Sequence, residues 1–315
     1  MADGKWIADL HANTPLADAA RRVLTVRLQV VQNSLPLALR DWKHDIEHVH
    51  QLRVGTRRTA AALAVFADCL PRKVCNKIRK RLRKLRRVAG EARDWDVFAL
   101  SLAEREHHVT QAQRPGLDFL IGYSQAQRIA AQDALEQAGK GAPFNFERLA
   151  ANTVASVREP GGNGRLRRLR DLAGPWLSSI LAELHTAASD NLEQYDHLHQ
   201  VRILGKRLRY GMEVFATCFD DDFKDRYYPM VEEMQDILGL ANDSHVASQR
   251  LAALRDLVRG SQPALWKRLR PGVEGVLHYH QRRLPQQRRH FERWWARWQK
   301  SGADAALVGM VHAES

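Results

Sequence analysis

The stretch HQLRVGTRR at residues 50–58 decides the fold, because the chain repeats it as HQVRILGKR at residues 199–207. The offset of 149 residues continues without a gap to Phe66 and Phe215, and six of the 17 aligned positions are identical. A repeat of this length indicates two copies of one supersecondary unit and excludes a short-period solenoid. Because both copies keep a row of bases, the repeated unit predicts a binding site for an anion.

The spacing of the bases predicts that each copy is an α-helix with cations along one face. At 100° per residue, positions i, i+3 and i+7 of a helix point in nearly the same direction. We name the two resulting rows the first ladder, formed by His50, Arg53 and Arg57, and the second ladder, formed by His199, Arg202 and Lys206, with Arg209 close to its face. The opposite faces carry apolar residues, so each helix is expected to bury one side and to present its ladder on the other.

Composition restricts the class of protein and the class of partner. The chain has 315 residues and a formal net charge of +13, which predicts a polyanionic partner such as nucleic acid, polyphosphate or an acidic membrane. Three cysteines without C-x-x-C spacing indicate reduced thiols and a cytoplasmic location. No apolar stretch follows Met1, and the longest nearly apolar run, Thr59 to Leu70, is too short to span a bilayer. We therefore expect a soluble cytoplasmic protein without a signal peptide or a membrane span.

One break divides the chain into two similar parts. The run PGGNG at residues 160–164 is typical of a linker. It separates a first repeat, residues 14–158, from a second repeat, residues 165–300, within a single domain. We expect the remaining residues, 301–315, to form a loose tail.

Periodicity within the repeats is helical nearly everywhere, and the alternation typical of strands is hard to find. Each repeat has room for about four main helices, including one that starts at Arg72 and is expected to end at Gly90. The predicted fold class is all-α, with two pseudo-twofold-related four-helix bundles. By this symmetry the two ladders would face one another across a basic central cavity.

A second cationic segment belongs to the first repeat alone. The 16 residues from Arg72 to Arg87 include ten bases and no acid, whereas the aligned residues from Asp221 to Asp236 include six acids and two bases. Within the basic segment Arg79, Arg83 and Arg86 form one stripe, which Arg93 continues, and Glu232 aligns with Arg83. We therefore expect an uneven cavity whose stronger wall comes from the first repeat, together with Arg202, Lys206 and Arg209.

Four motifs at these positions resemble the CHAD family, whose name refers to a histidine-containing α-helical domain. They are HxxRxxxRR at residues 50–58, GxxRDxD at 90–96, HxxRxxxKR at 199–207 and GxxND at 239–243. The resemblance covers about residues 14–300 and implies two four-helix bundles with a basic central cavity that binds inorganic polyphosphate. Some family members also carry a CYTH domain with an E-x-E-x-K motif, which this sequence lacks, so the chain resembles a stand-alone member.

The residues predicted to bind polyphosphate are chosen from the two ladders, the basic segment and the resemblance. Polyphosphate is a flexible chain of negative charges that has no nucleobases to recognise. Arginine binds phosphate oxygens through forked, bidentate hydrogen bonds. The predicted polyphosphate-binding residues are His50, Arg53, Arg57, Arg58, Arg79, Arg83, Arg86, Arg93, His199, Arg202, Lys206, Arg207 and Arg209. A polyanion would favour protonation of the two histidines, although a neutral imidazole could also donate an N–H to phosphate.

Catalysis, metal and cofactors have little support in the sequence. The run HDIEH at residues 44–48 fits the H-x-x-E-H pattern of some zinc proteases, but no third ligand stands out, and the aligned residues 193–197 lack the pattern. Walker and G-x-G-x-x-G sequences are absent. Asp94, Asp96 and Asp243 are better explained as helix caps or arginine partners. We therefore expect a binding protein that is not an enzyme and has no cofactor or metal.

The alternative partner is RNA or DNA, because strong positive charge serves any phosphate backbone equally well. Trp294 and Trp298 lie among the basic residues of the segment 281–300 and could stack on the nucleobases of a nucleic acid. Their i, i+4 spacing, however, favours a place in the core. No recognisable nucleic-acid module occurs. Polyphosphate is therefore the favoured partner, and a location on polyphosphate granules in the cytoplasm is compatible with it.

Overall fold

A computed structural model describes residues 5–140, 142–160 and 166–312, and in these ranges it contains ten α-helices and no β-strand. The predicted all-α class is confirmed, while residues 161–164 of the predicted linker lie outside the described residues. No helix within the described ranges is both long enough and apolar enough to cross a bilayer. The helices are α1 (Leu16–Arg40), α2 (Glu47–Val65), α3 (Arg72–Arg105), α4 (Arg114–Gly139), α5 (Ala142–Ala155), α6 (Leu169–Ala188), α7 (Tyr195–Phe215), α8 (Tyr228–Ser261), α9 (Pro263–Lys300) and α10 (Ala303–His312).

Proline lies at or just before the start of several helices. Pro15 and Pro71 immediately precede α1 and α3, Pro115 lies in the first turn of α4, and α9 begins with Pro263. The N–H groups of a first helical turn have no intrahelical partner, so a residue without an N–H loses nothing there. The position of Pro71 explains why the start of α3 at Arg72 could be predicted from the sequence.

Helix α3 contradicts our prediction that a helix ends at Gly90, and α8 is its counterpart in the second repeat. Both helices contain 34 residues and continue without a break through Gly90 and Gly239. A glycine inside a helix costs only about 1 kcal/mol relative to alanine. Beyond Gly90, α3 buries Phe98 and Leu102, and this burial outweighs the cost of the glycine.

Three hydrophobic cores divide the helices in a way that joins the two repeats. The first core lies mainly between α1, α2, α5 and the N-terminal half of α3. The second lies between α6, α7, α10, the N-terminal half of α8 and the C-terminal half of α9, where Trp294 and Trp298 are buried, as their spacing predicted. The third combines the C-terminal halves of α3 and α8 with the N-terminal parts of α4 and α9. The first core also includes Ala173 of α6 and Phe215 of α7, so the first and third cores both contain residues of the two repeats and hold them together.

The segment after Lys300 is folded, so the prediction of a loose tail was wrong for residues 303–312. These residues form α10, in which Ala303 and Leu307 are fully buried against the second core. The indole nitrogen Nε1 of Trp298 donates a hydrogen bond of 2.7 Å to Oδ1 of Asp304, and His185 pairs with the same carboxylate. The buried side chains are small and few, which is why composition alone did not reveal them.

A polar cluster in the interior links α1 and α2 of the first repeat to α7 and α8 of the second. The Glu213 carboxylate accepts hydrogen bonds from Arg27 at 3.0 Å, from Arg58 at 2.9 Å and from the hydroxyl of Tyr228 at 2.9 Å. All four side chains are buried, and burial lowers the pKa of Arg27 to about 10. We name these four residues the Glu213 network. Arg58 was predicted to bind polyphosphate, but the structure places it in this network because it lies 100° around the helix from Arg57.

Replacing the central carboxylate should destabilise the fold strongly. Glu213→Gln leaves two buried guanidinium groups opposite a neutral amide, and loss of one partner from a buried ionic cluster costs about 3–5 kcal/mol. The free energy of unfolding from urea titration measures this loss. Glu274→Gln is the matched control, since Glu274 pairs with Arg270 at 2.9 Å on the surface and should contribute about 0.3–0.5 kcal/mol. Equal, small losses in both variants would contradict the importance of the network.

Candidate anion-binding site

Both ladders meet at one cavity of about 740 Å³ between α2, α3, α7 and α8. Arg53 and Arg57 of the first ladder line it, together with all three members of the second ladder. The lining residues that carry a charge or can acquire one are nine bases, Arg53, Arg57, Arg83, Arg86, Arg87, His199, Arg202, Lys206 and Arg207, and two acids, Glu91 and Asp94. The arrangement therefore collects positive charge around an open volume.

Small side chains on α2 create the open volume. The face of α2 that carries Arg53 and Arg57 continues with Ala60, Ala61 and Ala64, all of which line the cavity. Alanine keeps the helix intact and leaves the space that a longer side chain would fill. Beyond Arg57, the cavity-lining face of α2 therefore carries alanines instead of further basic residues.

The arginines of the ladders keep much of their hydrogen-bonding capacity free. Arg53 pairs with Asp94 through Nη1 at 2.8 Å. The buried Nε atoms of Arg53 and of its repeat mate Arg202 have no hydrogen-bond partner within the described residues. Burial and the nearby charge of Arg53 lower the pKa of Arg57 to about 10. These groups repel one another across the cavity, and an anion between them would relieve that repulsion.

Lys206 shows the electrostatic strain of the cavity most clearly. Burial lowers the pKa of its amine to about 5, and the positive charges of Arg57, Arg202 and Arg53 act in the same direction. A lysine in water has a pKa near 10.4. The amine of Lys206 is therefore neutral at pH 7 in the unliganded protein.

The two histidines of the ladders occupy different environments. His199 lines the cavity, and its Nδ1 lies 3.3 Å from the hydroxyl of Tyr195, which donates a hydrogen bond of 3.1 Å to Asn242. The ring of Tyr195 in turn stacks on His245 with centroids 3.4 Å apart. Burial and the neighbouring charge of Arg202 lower the pKa of His199. Its imidazole is therefore neutral at pH 7, and the Tyr195 hydroxyl can accept a hydrogen bond from Nδ1–H.

His50 is half-buried and is not among the residues that line the cavity. Burial and the charge of Arg93 lower its pKa. Arg93 itself forms an ion pair of 3.2 Å with Glu47, the acid of the H-x-x-E-H run. In the described part of the chain, no group of three or more His, Cys, Asp or Glu residues is placed to hold a metal ion.

The remaining predicted ligands are divided between the cavity and its surroundings. Arg83 and Arg86 line both the cavity and a smaller adjoining pocket of about 140 Å³, to which Arg79 also contributes. Arg79 donates a hydrogen bond of 2.9 Å to the carbonyl oxygen of Leu63. Arg207 lines the cavity and pairs with Glu183 at 2.8 Å.

Arg209 lies beside Glu232 instead of in the cavity lining. Its Nη1 is 3.8 Å from the Glu232 carboxylate, which also accepts a hydrogen bond of 3.1 Å from Lys5. Glu232 therefore does not line the cavity, although it occupies the position aligned with Arg83. The wall is uneven as expected, because α3 contributes three arginines and α8 contributes only Asn242 and Val246.

Sequence reasoning missed Arg87 as a lining residue and left two roles open for the acids. Arg87 follows Arg83 by one helical turn, so its spacing could have revealed it. Asp94 and Asp96 cannot be helix caps, because α3 runs through them. They are arginine partners: Asp94 pairs with Arg53, and Asp96 pairs with Arg128 at 2.5 Å.

Comparison with known proteins identifies the family. The CHAD domain profile matches residues 22–252. The crystal structure of the CHAD domain from the plant Ricinus communis superposes with a TM-score of 0.69 at 24% identity, covering 98% of this chain and 95% of that one. PptA from Streptomyces chartreusis superposes with a TM-score of 0.64 at 20% identity, covering 90% of this chain and 100% of that one. Comparison with curated protein sequences gives no match. At these identities the two structures establish the fold, and the match of the profile to most of the sequence shows that the chain belongs to the CHAD domain family.

Proposed function

We propose that this chain binds inorganic polyphosphate in the cavity and performs no reaction on it. The observation that carries the proposal is that residues of both ladders line one volume, in which seven arginines, His199 and Lys206 are accompanied by only two acids. Membership of the CHAD domain family supports the same partner, through the resemblance described for the sequence. The positive charge of the cavity therefore has a specific chemical complement, a chain of phosphate groups.

The positions of the arginines suit an extended phosphate chain. Arg53 and Arg57 approach the cavity from α2, Arg83 and Arg86 from α3, and Arg202 from α7. Each guanidinium can donate paired hydrogen bonds to the oxygens of one phosphate. Arginines from three helices can thus bind several phosphates of one chain.

The composition of the cavity favours polyphosphate over RNA or DNA. Proteins that bind single-stranded nucleic acid commonly stack bases on aromatic side chains. Among the described residues Tyr210 is the one Phe, Tyr or Trp that lines the cavity, and Trp294 and Trp298 are buried in the second core. A polyanion without nucleobases therefore fits the lining better, and nucleic acid is the second candidate.

The acids of the cavity support binding without catalysis. Phosphoryl transfer requires carboxylates that hold metal ions or a side chain that activates a nucleophile. Asp94 pairs with Arg53 at 2.8 Å, and Glu91 lies 3.8 Å from Arg250. Asp94 is thus engaged by an arginine, and the exposed Glu91 has an arginine as its nearest ionic partner. Binding without catalysis would hold the protein on polyphosphate granules, and this is the location in the cytoplasm that we propose.

The site is tested by removing one arginine from each ladder. Arg53→Gln combined with Arg202→Gln should weaken binding of long-chain polyphosphate about 100-fold or more, because each hydrogen bond to a charged group contributes roughly 1.5–3 kcal/mol. Filter binding measures the affinity, and circular dichroism checks that the helix content is unchanged. Arg282→Gln combined with Arg289→Gln removes the same charge from exposed positions of α9. If the two double variants bind equally well, the cavity is not the site.

Binding should also take up protons at pH 7. The amine of Lys206 is neutral because its pKa is about 5, and a bound polyanion favours the charged form. Affinity should therefore fall as the pH rises above about 5, since each binding event must then protonate Lys206. Calorimetry in buffers of different ionisation enthalpy measures the uptake. Lys206→Met should reduce it and leave the share due to His199. Tight binding at pH 7 without any proton uptake by the wild type would contradict this account.

A further inference from the structure

A row of lysines on the surface of α3 leads to the cavity. Lys73, Lys77, Lys80 and Lys84 follow one another at spacings of four, three and four residues, which places them on one helical face. We name these four residues the lysine stripe. All four are exposed, and Arg87, three residues further on, continues the stripe and lines the cavity. From Lys73 to Arg87 the row spans about 21 Å of helix axis.

The bases of this segment are not neutralised by the protein. None of the ten bases between Arg72 and Arg87 forms an ion pair with any residue that the structure describes. Exposed arginines on other helices do pair with acids, such as Arg270 with Glu274 at 2.9 Å. A surface row that serves only solubility commonly mixes charges of both signs. The lysine stripe instead concentrates one sign next to a basic cavity.

The other repeat offers no equivalent path. The residues aligned with the basic segment, 221–236, include six acids and two bases. Glu232, within that segment, is already occupied by Lys5 at 3.1 Å. A polyanion that extends beyond the cavity is therefore attracted along the surface of α3 and repelled along the start of α8.

We propose that the lysine stripe binds the part of a long polyphosphate chain that leaves the cavity beside Arg87. This inference rests on the proposed function, because it assumes that the cavity holds the first part of the chain. A ligand short enough to remain within the cavity does not reach the stripe. Longer chains gain additional contacts with Lys84, Lys80, Lys77 and Lys73 in turn. The protein would thus prefer long polyphosphate through a surface that the cavity alone does not provide.

The experiment compares two variants of the full chain that lose the same charge. The stripe variant carries Lys→Gln at Lys73, Lys77, Lys80 and Lys84. The control variant carries Gln in place of four exposed bases of α9, none of which lines the cavity: Lys267, Arg282, Arg289 and Arg293. Tripolyphosphate and long-chain polyphosphate serve as the two ligands, and their affinities are measured at several salt concentrations.

The stripe variant should bind tripolyphosphate as the control does, and should bind long-chain polyphosphate about tenfold or more weakly at low salt. The plot of log affinity against log salt concentration should become shallower in this variant. The magnitude of its slope should decrease by up to about 0.7 per lysine, the value for a single-stranded polyanion. Equal affinities of the two variants for the long chain would overturn the proposal, as would an equal loss for both ligands in the stripe variant. Failure of the wild type to bind either ligand would instead refute the proposed function.

Discussion

The Glu213 network is the interaction on which the arrangement of the cavity depends. Three charged side chains in the interior are tolerated only because each finds hydrogen-bond partners of the opposite charge there. The network holds α7 against α2, in which Arg57 lines the cavity while the adjacent Arg58 is buried in the network. Glu213 lies on the face of α7 that carries Lys206, two turns further along the helix. The contact that positions the repeats is therefore continuous with the surface that lines the cavity.

The cavity itself works against the stability of the unliganded protein. Bringing arginines and a lysine together in a partly buried space raises their electrostatic free energy, and the lowered pKa values of Arg57 and Lys206 express this cost. Marginal stability leaves little free energy for such strain unless the rest of the fold supplies it. Three hydrophobic cores, two of which contain residues of both repeats, supply that support. A polyanion would convert the strain into binding free energy, because it restores opposite charge to the same groups.

The repeat and its helical spacing were enough to predict the fold class and the meeting of the two ladders. Helical spacing alone assigned Arg53 and Arg57 to one face of α2, and Arg202 and Lys206 to one face of α7. This was possible because the geometry of a single helix is local. The long α3 could not be foreseen, because the burial of Phe98 that carries the helix past Gly90 is a tertiary contact. The sequence likewise contained no sign that Arg58 pairs with Glu213.

Partner chemistry required the structure as well as the sequence. Net charge alone was equally compatible with nucleic acid, and the scarcity of Phe, Tyr and Trp in the described cavity lining adds to the sequence arguments that favour polyphosphate. The acidic start of α8 and the position of Glu232 beside Lys5 explain why only one repeat extends the basic surface. The two halves are thus similar in fold and different in charge.

The central claim is that the cavity selects polyphosphate among polyanions. Competition between long-chain polyphosphate and single-stranded RNA of equal total charge, at one ionic strength near physiological, tests this claim most directly, because counterion release contributes to both ligands. The account predicts that polyphosphate displaces bound RNA and that RNA at the same charge concentration does not displace bound polyphosphate. Equal displacement in both directions, or displacement of polyphosphate by RNA, would contradict it.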